Sequence, residues 1–158
     1  MARRIRREIP LSELVRDRRA TDNFSSEPVL DSDLQQILHA ALEAPSGYNL
    51  QPWRFVVLRD STQRKKLRIA ALDQQKVEEA PVVIVACGDT LGWREDLEEV
   101  LRLGQEHGIG GDAWAQRKRK NVTADLGSHP NISMWVAKQT MIAATTMMWM
   151  AEALGYNR

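Results

Sequence analysis

An α+β layered domain, with α/β as the neighbouring class, is predicted by three features of the sequence. An amphipathic helical pattern over residues 31–42 runs through a loop punctuated by Pro and Gly into the apolar stretch Phe55-Val56-Val57-Leu58. A second apolar, β-branched run over residues 81–86 follows a strongly basic helical segment. A long, nearly uncharged segment over residues 132–155 comes last. Two strands separated by one helix and preceded by another need a layered arrangement to bury both kinds of apolar face. At 158 residues a single domain spanning 1–158 is expected, large enough to build its core without disulfides or a metal.

The balance of 22 Lys and Arg against 21 Asp and Glu leaves no net field to hold nucleic acid or an anionic membrane, so such a role needs a local patch. The lone Cys87 cannot form an internal disulfide, which suits a reducing compartment, and its apolar surroundings predict a buried small hydrophobe. No zinc pattern exists, and no apolar stretch of signal-peptide length follows the basic N-terminus. The uncharged run over residues 139–151 is shorter than the roughly 18 residues of a membrane span and reads as a buried helix.

Residues 1–15 begin with Arg3, Arg4, Arg6 and Arg7 and turn amphipathic through Ile9, Leu11, Leu14 and Val15, predicting an arm or short helix, or else a solvated tail. Asp31-Ser32-Asp33 starts the first long helix, with acidic groups where the helix dipole favours them. Leu34, Ile37, Leu38, Ala41 and Leu42 form its single apolar face, with His39 off the stripe. Pro45 stops that helix at Ala44 and Gly47 frees the backbone of the following loop. Between Pro45 and Pro52, the side chains of Ser46, Asn49 and Gln51 and open backbone N–H groups suit a flat polar ligand edge. A tight helix-to-strand connection explains the same residues equally well.

Residues 54–58 read as a strand, and Asp60 or Ser61 caps a helix over residues 62–72 whose Arg64, Lys65, Lys66 and Arg68 form a solvated basic face. The run 81–86 reads as a strand buried on both faces. Residues 94–105 and 112–126 are helical around a plain glycine loop at 107–111, and Trp93 and Trp114 read as packing ahead of a substrate-facing ring. His107 and His129 lack partners at metal or acid–base spacing. The segment 132–155, apolar almost all round through Met141 to Met150, should be buried on every side, partly against an identical helix across a two-fold axis.

Two stretches carry a resemblance. Arg18-Arg19-Ala20-Thr21-Asp22-Asn23-Phe24 and Ala44-Pro45-Ser46-Gly47-Tyr48-Asn49-Leu50-Gln51-Pro52-Trp53-Arg54-Phe55-Val56-Val57 resemble, in order and spacing, the N-terminal half of the flavin-dependent nitroreductase family. Lys76-Val77-Glu78-Glu79-Ala80-Pro81-Val82-Val83-Ile84-Val85 resembles that family's approach to its second strand, and residues 145–156 its long central helix ending in Ala-Leu-Gly-Tyr. The resemblance implies a three-layer fold, a central mixed sheet flanked by helices, with a long buried helix at a homodimer interface. It also implies a cytoplasmic FMN enzyme using NAD(P)H as hydride donor and reducing a nitroaromatic or quinone in ping-pong order.

By the same resemblance Arg18 and Arg19 would hold the flavin phosphate, near Ala20 and Asp22, which stand where the family often has Ser and a basic residue. Pro45, Ser46, Gly47 and Asn49 would approach the same flavin from the other protomer, with Gln51 also a flavin contact, while Gln74 would be among the polar flavin contacts before the second strand and Lys76 would bring positive charge near the pyrimidine edge. No catalytic side chain and no metal are implied. Members usually continue past the Gly155-Tyr156-Asn157-Arg158 end with a flavin-contacting loop, a helix, a strand and a tail, so a shortened protein, a disrupted gene product or a fragment is expected. Two other readings are a non-catalytic dimer poor in flavin, and a basic module using the N-terminal arginine arm and Arg117–Lys120 on an acidic partner.

Overall fold

The computed structural model describes residues 9–156, and the arginines at 3, 4, 6 and 7 lie outside them. The elements are α1 (Leu11–Asp17), α2 (Asp31–Leu42), β1 (Trp53–Leu58), α3 (Ser61–Ala70), α4 (Gln75–Glu79), β2 (Val83–Gly88), α5 (Trp93–Glu106), α6 (Asp112–Gly127) and α7 (Ile132–Ala153). A 3₁₀ turn at Gly47–Asn49 sits in the loop between α2 and β1. The α+β class holds. The described strands form one two-stranded sheet. Asp89 N–H donates to the Pro52 carbonyl at 2.9 Å, joining the start of β1 to the end of β2, so the strands run antiparallel.

The chain divides into two compact units, the first holding the residues up to Glu43, Phe55–Val85 and those from Ala144 onward. Within it α2 buries Leu34, Ile37 and Ala41, three of the five residues of its expected face, while Leu42 stays exposed. The N-terminus of α2 is tied by Tyr156, whose hydroxyl accepts the Leu30 N–H at 3.2 Å and donates to Asp33 Oδ2 at 2.8 Å. Asp60 caps α3 by accepting the Gln63 N–H at 2.9 Å.

The basic face expected on α3 is divided. Lys65 and Lys66 are solvated, but Arg68 donates to Asp73 at 2.7 Å and Glu78 at 2.8 Å, and Arg64 donates to the carbonyls of Glu78 and Pro81, each at 3.3 Å. These two guanidiniums fix the turn into α4, a short helix that the sequence reading did not anticipate, where Leu72 and Asp73 take φ of 58° and 59°. Between α2, α4 and β2 a cleft of about 360 Å³ is lined mainly by apolar groups, with Lys76 and Glu27 among its polar ones.

The second unit, Ala44–Arg54 with Ala86–Ala143, has its own core of Leu50, Trp93, Leu97, Leu101, Ala115, Val122 and Leu126. Trp114 packs against it: a Cβ added at Gly104 would lie 2.5 Å from the indole and one at Gly110 would lie 2.4 Å from it, and Lys118 Nζ stands 5.1 Å from its ring centroid. Trp93 is buried within the core and Trp114 is partly buried against it, so both indoles pack. Asp89 accepts the N–H groups of Leu91 at 3.0 Å and Gly92 at 2.8 Å ahead of α5. These donors, with the Arg54 guanidinium beside it, hold the Asp89 carboxyl below the usual carboxylate range. Asn131 caps α7 by accepting the Met134 N–H at 3.0 Å. Tight contact between the end of β2 and α7 leaves no room at Gly88, where a Cβ would fall 2.4 Å from Val136.

Two expectations are corrected. The second strand begins and ends two residues later than expected and is half-buried along Val83–Val85 and open along Ala86–Gly88, not buried on both faces. Cys87 falls in the open half and is exposed, because the two-stranded sheet supplies no cover there. α7 buries Val136, Thr140, Ala143 and Met147 and exposes Met134, Met141, Ile142 and Met148, in keeping with a helix too apolar for a chain of this size to surround alone.

Two outcomes follow for stability. Replacing Leu101, 1% exposed, with Ala should cost about 2–5 kcal/mol in denaturant unfolding, and the same change at Leu103, 39% exposed, about 1 kcal/mol or less. Asp89→Ala should lower Tm at pH 7. Because the folded carboxyl titrates below its unfolded value, its contribution is complete above the unfolded pKa and lost as pH falls through the folded one. The gap in Tm between wild type and Asp89→Ala should therefore close as pH falls below about 4.

Candidate functional site

In the first unit, the segment leaving α1 is exposed and its arginines bond to backbone. Arg18 donates to the Arg19 carbonyl at 2.9 Å, and Arg19 donates to the carbonyls of Arg16 at 2.6 Å and Arg18 at 2.9 Å. Ala20 and Asp22 follow on the same open stretch. Lys76, on α4, reaches back across 54 residues to donate to Asp22 Oδ1 at 3.2 Å, and Gln74 stands at the N-terminal end of that helix. The structure thus brings the altered position Asp22 to Lys76. With Asp22 and Lys76 82% and 39% exposed, this pair holds little energy of its own and yields readily to a competing anion. Multidentate guanidinium and ammonium donors on an open segment can take a phosphate or another anion.

In the second unit lies the loop from Ala44 to Trp53. Tyr48, Asn49 and Gln51 take φ of 59°, 59° and 44°, the left-handed region, at about 1–2 kcal/mol each. Several internal ties stabilise this path. Leu50, 1% exposed, sits in the core of the unit. Asn49 N–H donates to the Ser46 carbonyl at 3.0 Å, Leu50 N–H to the Gly47 carbonyl at 3.2 Å and Trp53 N–H to the Gln51 carbonyl at 2.7 Å. Ser46 Oγ accepts the Gln51 N–H at 3.0 Å. Two helices supply the remaining contacts: Gly47 N–H donates to Gln139 Oε1 at 2.8 Å, and Tyr48 OH donates to Asp125 Oδ2 at 2.9 Å. The Asp125 carboxylate, through that bond first and with partial burial adding to it, raises the Tyr48 pKa above the ordinary phenol value.

The loop's backbone N–H groups expected to face a ligand are therefore largely turned inward, at Gly47, Asn49, Leu50, Gln51 and Trp53. What it presents outward is the Pro45 ring and the side chains of Tyr48 and Asn49, all exposed, with Ser46 and Gly47 half-buried beside them. The Ser46 hydroxyl, having accepted one bond, keeps a proton to donate. Gly47 also allows close approach, since a Cβ there would lie 2.8 Å from the Trp135 ring.

Trp135, Gln139 and Asp125 were missed from sequence. One signal was present: Trp135 and Gln139 are four apart on α7, hence on one face, and Gln139 is an uncharged polar group within an apolar helix. His39 is exposed and pairs with Glu43 at 3.4 Å one turn on, and His129 Nδ1 accepts the Asn131 N–H at 3.1 Å. Both fit structural roles. Among the described residues no group of three or more His, Cys, Asp and Glu could hold a metal ion, and no helix is long and apolar enough to cross a membrane.

Comparison with known proteins covers nearly the whole chain. NADH dehydrogenase of Thermus thermophilus is 37% identical over 139 residues, 87% of this chain and 66% of that protein. YfkO of Bacillus subtilis, provisionally named a NAD(P)H nitroreductase, is 30% identical over 150 residues, 89% of this chain and 68% of that one. The chain thus spans about two thirds of the length of these relatives. A nitroreductase-like protein from Exiguobacterium sibiricum, crystallised in complex with FMN, is 25% identical, with a TM-score of 0.81 over 93% of this chain and 71% of that one. The model of the nitroreductase family matches residues 15–157, and the chain belongs to that family.

Proposed function

We propose that this chain forms one nitroreductase-like domain of a cytoplasmic, homodimeric FMN-dependent NAD(P)H oxidoreductase that reduces electron-poor acceptors of the nitroaromatic or quinone type. The observation that carries the reading is the loop at 44–53, held by its own fold in a left-handed path that leaves Pro45, Ser46, Gly47 and Asn49 at the surface. Strain of this kind, kept in place by many ties, is a mark of binding segments. The FMN bound by the related Exiguobacterium protein supports the choice of cofactor, and the names of the Thermus and Bacillus relatives support NAD(P)H.

The residues present fit that cofactor. Arg18 and Arg19 would bind its phosphate, exchanging bonds to backbone carbonyls for charge-assisted ones. Ala20 leaves backbone without side-chain bulk beside them. Lys76, with Gln74 nearby in sequence, would face the pyrimidine edge, and Asp22 would orient that ammonium. From the partner copy, Ser46 and Asn49 would donate or accept at the ring's polar edge, Pro45 and Gly47 would pack against it, and Gln51 would hold Ser46 in place through its N–H. FMN bound there would supply the redox chemistry, a two-electron, hydride-equivalent transfer from NAD(P)H to the acceptor in ping-pong order.

The homodimer is supported by α7, whose exposed Met134, Met141 and Met148 repeat every seven residues as an apolar seam fit for a second copy of the helix. The exposed thiol of Cys87 suits a reducing compartment. A second reading, a flavin-poor dimer of the same fold, is favoured by one observation, the carboxylate of Asp22 beside Lys76, which lowers the positive charge on offer there.

One experiment separates the two. Purified protein incubated with excess FMN and freed of unbound flavin should keep close to one FMN per chain by visible absorption, and Arg19→Ala should weaken binding about tenfold to a hundredfold. A folded dimer that retains no flavin contradicts the enzyme reading and supports the flavin-poor one.

A further inference from the structure

We infer that Gln139 is a positioning residue: from α7 it fixes the backbone of the 44–53 loop through the Gly47 N–H, and so sets the geometry that this loop offers a ligand. Three observations lead there. Gly47 N–H donates to Gln139 Oε1 at 2.8 Å in a partly buried setting. Trp135, one turn earlier on the same face, closes over Gly47 so tightly that a Cβ there would fall 2.8 Å from its ring. Directly after Gly47, the chain enters its left-handed stretch at Tyr48, Asn49 and Gln51.

The other ties of the loop differ in kind. Those from Ser46 and Gly47 carbonyls and from Ser46 Oγ are local to the loop and move with it. Leu50 anchors its C-terminal half in the core. The N-terminal half, which carries Pro45, Ser46 and Gly47, is referenced to α7 through Gln139 and to α6 through the exposed Tyr48–Asp125 bond. Water competes effectively for an exposed bond and poorly for a partly buried one, so the Gln139 tie dominates. Its amide orientation is fixed by chemistry, since only Oε1 can accept from an N–H.

The tie itself stands without any cofactor; its consequence for flavin binding rests on the function proposed above. The test uses the full chain and reads the two separately. Gln139→Met keeps the unbranched shape and removes the acceptor, Gln139→Glu keeps an acceptor, and Tyr48→Phe removes the exposed tie. Amide hydrogen exchange of Gly47, followed by NMR in flavin-free protein, should speed up about tenfold or more in Gln139→Met, stay near wild type in Gln139→Glu, and change less than about threefold in Tyr48→Phe. FMN affinity should fall about tenfold in Gln139→Met and be largely restored in Gln139→Glu, with the exchange of core amides such as Val122 unchanged throughout.

Gly47 exchange in Gln139→Met within twofold of wild type would overturn the tie. Faster exchange with unaltered FMN affinity would overturn the positioning role. Wild-type protein that binds no FMN would refute the flavin reading and leave the Gly47 exchange rates to decide the tie on their own.

Discussion

The burial of Leu50 is the constraint on which the second unit turns. Its side chain, 1% exposed, lies among Trp93, Leu97, Leu101, Val122 and Leu126, so the loop that carries it is drawn into the core of α5 and α6. Burying such a side chain contributes about 1.5–3 kcal/mol, comparable to the cost of the left-handed residues flanking it. A loop built this way has little freedom on either side of its anchor. Its backbone N–H groups are satisfied within the loop and, at Gly47, by Gln139, and Pro45, Tyr48 and Asn49 are left outside. The loop is therefore shaped before any ligand arrives, which lowers the ordering cost of binding.

The first unit offers a different kind of surface. Its arginine segment is open and bonded to backbone carbonyls, and Asp22 meets Lys76 of α4 in an exposed ion pair. Such a segment adapts to a ligand, whereas the loop imposes its form. In the proposed enzyme the two behaviours divide the labour: a compliant cationic segment neutralises phosphate and a stiff loop sets the plane of the ring. With the loop proposed to come from one copy and the arginines from the other, the seam of Met134, Met141 and Met148 would become part of the site's construction.

Much of this was legible in the sequence where a pattern repeats. The α2 face at Leu34, Ile37 and Ala41 followed from helical spacing, and the loop boundaries followed from Pro45 and Pro52. Asp60 was recognisable as a cap because its side chain acts on its own neighbours. Reading failed where a residue's surroundings come from distant parts of the chain. Cys87 sits in an apolar run yet is exposed, since its burial depends on how many strands cover it and not on its neighbours in sequence. Arg64 and Arg68 looked solvated because their acceptors on α4 and at Pro81 are ten to seventeen positions away. Gln139 lies 92 residues from the amide it accepts, and the apolar composition of α7 did not say which of its faces the single chain leaves open.

The central claim, that the flavin site is shared between copies, is tested most directly by mixing two disabled chains. Gly47→Trp blocks the loop and Arg18→Ala with Arg19→Ala disables the phosphate segment. Each homodimer should bind FMN weakly. After co-refolding, the mixed dimer contains one site with both defects and one with neither, and the account predicts recovery of close to one tightly bound FMN per mixed dimer. Mixed dimers that bind no better than either parent would contradict it, by showing that loop and arginines act within a single chain or not on the flavin at all.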